Sequence, residues 1–110
     1  MNSIVLFAHT PESEESISGT TGDRLTFERR ETVYPGWIWC TDVLGNRAWV
    51  PEAFVSVSGE TCVLVRDYDS RELAVSEGEV VRILEKESGW AWVVDDLDRR
   101  GWVPLECLAL

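Results

Sequence analysis

Apolar residues in this chain fall in short runs and period-two alternations, broken every few positions by polar or turn-forming residues. Arg24-Leu25-Thr26-Phe27-Glu28 alternates, with Leu25 and Phe27 on one face, and predicts a strand. Ile4-Val5-Leu6-Phe7 is a short apolar run, and polar residues 11–22 predict a loop. Pro35-Gly36 is a turn, Trp37 to Val43 a strand, and Leu44-Gly45-Asn46-Arg47 the end of a hairpin whose return strand is Ala48-Trp49-Val50. Pro51 stops that ladder, because proline has no N–H to donate. A helical turn over Glu52 to Phe54 and a short strand over Val55 to Val57 follow.

The same order returns. Cys62 to Arg66, Val80 to Leu84, Trp90 to Val94 and Gly101 to Val103 predict strands, with a helical turn over Pro104 to Cys107. No segment has a 3.6-residue apolar period, so the prediction is all-β. Five short strands per half predict small barrels.

The tryptophans make the repetition explicit. Trp37, Trp39 and Trp49 recur 53 residues later as Trp90, Trp92 and Trp102, and all six tryptophans belong to this pattern. Pro35-Gly36-Trp37-Ile38-Trp39 parallels Ser88-Gly89-Trp90-Ala91-Trp92, and Trp49-Val50-Pro51 parallels Trp102-Val103-Pro104. Ser58-Gly59-Glu60 is the candidate boundary, giving units at 1–58 and 60–110. It is too short for a flexible linker, so the two units are expected to pack together. Gly22 to Gly36 spans 14 positions and Gly78 to Gly89 spans 11, so the repeat keeps its strands and varies a loop.

Side chains alternate across a strand. Ile38, Cys40, Ala48, Val50, Ala91 and Val93 therefore share the small aliphatic face that suits the inside of a tiny barrel. The tryptophans and prolines are expected on the opposite face, at the rim.

Charge narrows the partners. Twenty acidic residues against ten basic ones give a net charge of −10. Such a surface repels nucleic acid and anionic membrane and favours a basic peptide or protein. Three cysteines, Cys40, Cys62 and Cys107, form no CxxC and suggest neither a disulfide framework nor a zinc site. No apolar run has the length of a signal-peptide core or a membrane span, which predicts a cytoplasmic setting.

No catalytic constellation emerges. His9 is the sole histidine, without a nucleophile at motif spacing. Asp95-Asp96-Leu97-Asp98 lacks the ligand spacing of a calcium loop and reads as a solvated turn. No phosphate-binding glycine loop or nucleophile elbow occurs. The chain is read as a non-enzyme without metal or cofactor.

The residues as a set resemble an SH3 domain, twice over. Val65-Arg66-Asp67-Tyr68-Asp69 stands for the ALYDY stretch, followed by Glu72-Leu73-Ala74-Val75, Glu77-Gly78-Glu79, Gly89-Trp90 and Gly101-Trp102-Val103-Pro104. The first half keeps Gly22-Asp23, Gly36-Trp37 and Trp49-Val50-Pro51-Glu52-Ala53-Phe54-Val55. The resemblance implies two tandem SH3-like five-stranded barrels. It also implies an aromatic groove for proline-rich peptides in the polyproline II conformation.

By resemblance the groove tryptophans are Trp37 and Trp90, the groove prolines Pro51 and Pro104, and the N-Y-V tyrosine positions Phe54 and Cys107. Tyr68 is the second ALYDY tyrosine of unit two, and Arg66 replaces the first. In unit one, Ala8-His9-Thr10-Pro11-Glu12 carries no aromatic in that stretch. Trp49 and Trp102 flank the groove; Trp39 and Trp92 are assigned to packing. The acidic residues facing a ligand's Arg or Lys are Glu12, Glu14 and Glu15 in unit one and Asp69 and Glu72 in unit two. Neither groove is complete. The function implied is a non-catalytic protein-interaction module for proline-rich, basic segments. Two other readings stand beside it: a bacterial SH3-type cell-wall-binding module, and a structural or homodimerising domain whose tryptophan faces are buried.

Overall fold

A computed structural model describes residues 2–13 and 15–109. Along the chain it has β1 (Asn2–Ile4), β2 (Ser18–Gly19), β3 (Arg24–Glu28), β4 (Trp37–Thr41), β5 (Arg47–Pro51), a 3-10 turn (Glu52–Phe54) and β6 (Val55–Ser58). Then come β7 (Thr61–Leu64), β8 (Tyr68–Asp69), β9 (Val80–Glu87), β10 (Trp90–Asp95), β11 (Arg100–Pro104) and a second 3-10 turn (Leu105–Cys107). The described residues are all-β, as the alternation predicts, and both helical turns fall where expected. β9 runs further than expected: residues 85–87 continue the strand, paired along β10 past a bulge at Trp92/Val93.

The compact units do not follow the expected division into 1–58 and 60–110. One unit is Ser13–Arg71; the other is Met1–Glu12 together with Glu72–Leu110. The reason lies at Ser58-Gly59-Glu60. β6 and β7 pair antiparallel in the register Val55↔Leu64 to Ser58↔Thr61, so the expected boundary is a two-residue hairpin turn. Gly59 supplies its positive φ of 63°.

In the central unit (Ser13–Arg71) the sheet order is β5-β4-β3-β7-β6, with β2 and β8 forming a separate pair. Its interior holds Ile17, Leu25, Ile38, Cys40, Val50, Cys62 and Leu64, each at most 2% exposed. In the split unit (Met1–Glu12 with Glu72–Leu110) the order is β1-β9-β10-β11. Bridges at Val5↔Leu108, His9↔Val75 and Glu72↔Trp102 add to it. Val5, Leu73, Val75, Val81, Ala91, Val93, Val103, Cys107 and Leu108 make its core. The small aliphatic face is thus interior in both units.

Both units follow one plan. In the central unit the Val65 N–H donates to the Phe54 carbonyl; in the split unit the Leu6 N–H donates to the Cys107 carbonyl. Val5 and Leu64 fill equivalent interior slots, each 1% exposed. The strand ahead of β2 in chain order, β1, is therefore in the split unit, and the central unit's corresponding strand is β7.

Candidate functional site

The groove positions sort by unit. In the central unit Trp37 lies opposite Pro51 across β4 and β5. The Phe54 ring meets Tyr68 edge-on at 5.6 Å. The Tyr68 hydroxyl donates to the Trp49 carbonyl at 2.8 Å, which anchors the tyrosine end of the groove to β5. The Arg66 guanidinium lies 4.0 Å from the centre of the Phe54 ring, within cation–π range.

This groove is closed. Trp37 is 8% exposed, Phe54 3% and Tyr68 6%, and Pro51 is fully buried. The expectation that Trp37 and Pro51 stand at an open rim does not hold. Strand alternation puts a residue on the outer face of its sheet, but it does not say what covers that face. Acidic residues stand at the periphery of this unit. Glu15 accepts from the Arg47 backbone N–H. Asp69 pairs with Arg71 at 3.4 Å. Glu14 lies outside the described residues.

The split unit differs. Trp90 lies opposite Pro104 across β10 and β11 and is half-buried. The His9 imidazole stands edge-on to Trp90, with ring centroids 5.5 Å apart. His9 Nε2 lies 2.7 Å from Oε1 of Glu72. Phe7 is 64% exposed, and its N–H donates to the Cys107 carbonyl. Burial pushes the Cys107 thiol up from its ordinary value, and the neighbouring Glu106 charge adds to this. Cys107 therefore stays neutral at physiological pH, as suits its place in the core of this unit.

Tyr68 and Asp69, assigned from the sequence to the same groove as Trp90, Pro104 and Glu72, are in the other unit. Their place beside Trp90 is taken by His9. Phe7 and His9, which the resemblance does not assign to a groove, stand at Cys107 and at Trp90 respectively. The usable signal was the strand ahead of them. Ile4-Val5-Leu6-Phe7-Ala8-His9 aligns with Val63-Leu64-Val65-Arg66-Asp67-Tyr68 at an offset of 59, not the 53 of the tryptophans. At that offset Phe7 matches Arg66 and His9 matches Tyr68.

The remaining tryptophans pair across strands. Trp39 and Trp49 meet at 5.2 Å, with the Arg30 guanidinium 4.7 Å from the Trp39 ring. Trp92 and Trp102 meet at 5.5 Å. Trp102, expected to flank an open groove, is 3% exposed. It is held under the segment before Leu73, whose N–H donates to the Trp102 carbonyl at 3.1 Å. Trp39 and Trp92 pack against these partners and stay half-buried. Aromatic pairs of this kind add about 1 kcal/mol beyond their burial.

Comparison with known proteins bears on less than half of the chain. Residues 61–110 match the family described as Variant SH3 domain. A 53-residue stretch is 49% identical to SH3 and PX domain-containing protein 2B of Mus musculus and 47% identical to the Homo sapiens protein of that name. Each match covers 44% of this chain and 6% of the relative, so the chain spans a small part of the length of these relatives.

Proposed function

We propose that this chain is a non-catalytic protein-interaction module of SH3 type that binds proline-rich, basic segments through the split unit. The observation that carries the reading is the contrast between the grooves. Trp90 is half-buried and Phe7 is exposed, while Trp37 and Tyr68 are buried; Pro51 and Phe54 in the central unit and Pro104 and Cys107 in the split unit are buried alike. An extended proline-rich strand needs only flat aromatic and proline walls, because its conformation is already low in entropy. Trp90 and the exposed Phe7 supply the aromatic walls, Pro104 backs Trp90 across the strand pair, and Glu72 supplies the charge for a ligand Arg or Lys. The net charge of −10 favours a basic partner and disfavours anionic wall polymers or nucleic acid.

The match of residues 61–110 to a variant SH3 domain supports the binding role, and the parallel plan of the central unit supports a second, SH3-like copy. For the central unit, the burial of its groove favours a structural role. The free thiols of Cys40, Cys62 and Cys107 suit a reducing, cytoplasmic setting. Among the described residues no helix is long and apolar enough to cross a membrane.

The test is titration of the full chain with a proline-rich peptide bearing arginine. Trp90→Ala is expected to weaken binding at least tenfold, about 1.4 kcal/mol or more. Unchanged affinity in a variant that still folds sinks the assignment.

A further inference from the structure

The two units contain the same strands in different chain order. In the split unit the chain runs from β1 through His9, then from Glu72 through β9, β10, β11 and the second 3-10 turn to the bridge of Leu108 with Val5. In the central unit it starts at β2, runs through β3, β4, β5, the first 3-10 turn and β6, and only then reaches β7 and β8. The counterpart of β1 thus comes last. Its slot is nonetheless the same. β7 pairs with β3 in the register Arg24↔Val63 and Leu25↔Cys62, as β1 pairs with β9 in the register Ile4↔Val80 and Ser3↔Val81.

We infer that Ser13–Arg71 is a circularly permuted copy of the barrel carried as an insertion in the acidic loop of the other, so that the two sequence repeats are interlocked rather than joined end to end. The permuted ends lie at Glu12–Ser13 and Arg71–Glu72, where the chain passes from one unit to the other. The original ends are joined by the β6–β7 turn.

The hairpin is the physical cause. Only Gly59 and Glu60 separate the paired residues Ser58 and Thr61. Two residues span at most about 7 Å, and strands so joined are built to pair with each other. An end-to-end arrangement would need β6 to pair with β1 and β7 to pair with β9. The turn would then have to carry the chain from one barrel to the next within that reach. Pairing β7 back onto β6 removes the demand and leaves β1 to fill the equivalent slot of the split unit. The apolar patterns permit this, since Val5 and Leu64 are both apolar and 1% exposed, and Ser3 stands where Cys62 does, also buried. The Ser3 hydroxyl is satisfied there by donating to the Ala109 carbonyl.

One consequence rests on the peptide-binding reading. The groove of the split unit takes Phe7 and His9 from before the insertion and Glu72, Trp90 and Pro104 from after it, so a stretch confined to 61–110 does not contain the groove of the full chain.

The test separates wiring from binding. A protease recognition sequence is placed at Gly59-Glu60 of the full chain, with Ile4→Cys and Val80→Cys in one protein and Ile4→Cys and Arg24→Cys in another. Ile4 and Val80 are register partners with exposed side chains, whereas Arg24 is the partner Ile4 would have in the end-to-end arrangement. After oxidation of the monomer and cleavage, the Ile4/Val80 protein is expected to stay as one covalent species under non-reducing denaturing conditions. The Ile4/Arg24 protein is expected to fall into two pieces with its new thiols free. Separation of the Ile4/Val80 halves overturns the inference. Loss of peptide binding with the cross-link intact would count against the binding site alone.

Discussion

His9 Nε2 lies 2.7 Å from Oε1 of Glu72, although 63 residues separate them in the chain. The same imidazole stands edge-on to Trp90. The acidic residue assigned to meet a ligand's basic side chain is thus already held beside the groove tryptophan. Because both groups are partly exposed, with side chains 15% and 31% accessible, the contact is worth little as a stability term. Its importance is in placing the carboxylate.

Glu72→Gln is therefore expected to weaken binding of an arginine-bearing proline-rich peptide about three- to fivefold, or roughly 0.5–1 kcal/mol. With the arginine replaced by a neutral residue, the effect should vanish. Calorimetric titration of both peptides against both proteins checks this as a double-mutant cycle. An equal loss for the neutral peptide would remove Glu72 from ligand recognition.

Trp37 and Trp90 occupy matching places in the repeat but different environments. Trp37→Ala removes a buried ring and is expected to lower stability by about 3–5 kcal/mol, read as a shift in the denaturation midpoint. Trp90→Ala should lose less, because the ring is half-buried, while removing peptide affinity. If the two variants unfolded alike, the distinction between a closed and an open groove would fail.

Gly101 is required by packing. A Cβ built there would come 2.7 Å from the backbone N of Leu73 and 2.8 Å from the carbonyl carbon of Glu72. Backbone cannot yield as a side chain can. At Gly19 the closest atom is the flexible Leu64 Cδ1, also at 2.7 Å. Gly101→Ala is expected to destabilise by about 2 kcal/mol or more, and Gly19→Ala by less. Thermal melts of the two variants decide. The matching position in the central unit, Ala48, already carries a Cβ and is 7% exposed.

Alkaline pH should expose the buried thiols. Burial raises the Cys40 pKa, and neighbouring Cys62 raises it further; burial likewise raises that of Cys62. Both groups hold their protons longer in the folded state than in the unfolded chain. The stability they contribute is therefore complete below the unfolded thiol value near 9.0 and is lost as pH rises above it. Denaturation midpoints should fall between about pH 9 and 11, and Cys40→Ala should flatten that slope. Thiol reagents should modify Cys40 and Cys62 only on unfolding.

At acid pH the sign reverses. Burial of Asp95 opposes its ionisation, but the Arg99 N–H and guanidinium and the Leu97 N–H outweigh it, and the carboxyl lies below its ordinary value. Its contribution is present above the unfolded value near 3.8 and lost as pH falls through the lower folded value. Asp95→Asn should lower stability at pH 7 and reduce the loss seen on acidification. An unchanged acid slope would show that the turn is held by other contacts.

Much of the local structure was legible because it depends on nearest neighbours. The alternation at Arg24-Leu25-Thr26-Phe27-Glu28 gave the bounds of β3, and the 3-10 turns followed from proline ending a ladder at Pro51 and Pro104. The interior set of Ile38, Cys40, Val50, Ala91 and Val93 followed from the two-residue period. The groove was less legible, since its first wall lies in an N-terminal strand whose offset from its counterpart differs from that of the tryptophans. His9, read from the sequence as part of a stretch without an aromatic, aligns with Tyr68 at the offset of 59 and stands edge-on to Trp90.

By itself the sequence determined the strands, the two matching tryptophan frames and the acidic surface, all set by local pattern and composition. Tertiary structure alone decided which barrel each first strand joins, because Ile4-Val5-Leu6 and Val63-Leu64-Val65 carry the same apolar pattern. The two-residue turn at Gly59-Glu60 broke that tie by folding β7 back onto β6. Tertiary burial also decided that Trp37 is closed over while Trp90 is not, a difference that matching neighbours in sequence cannot encode.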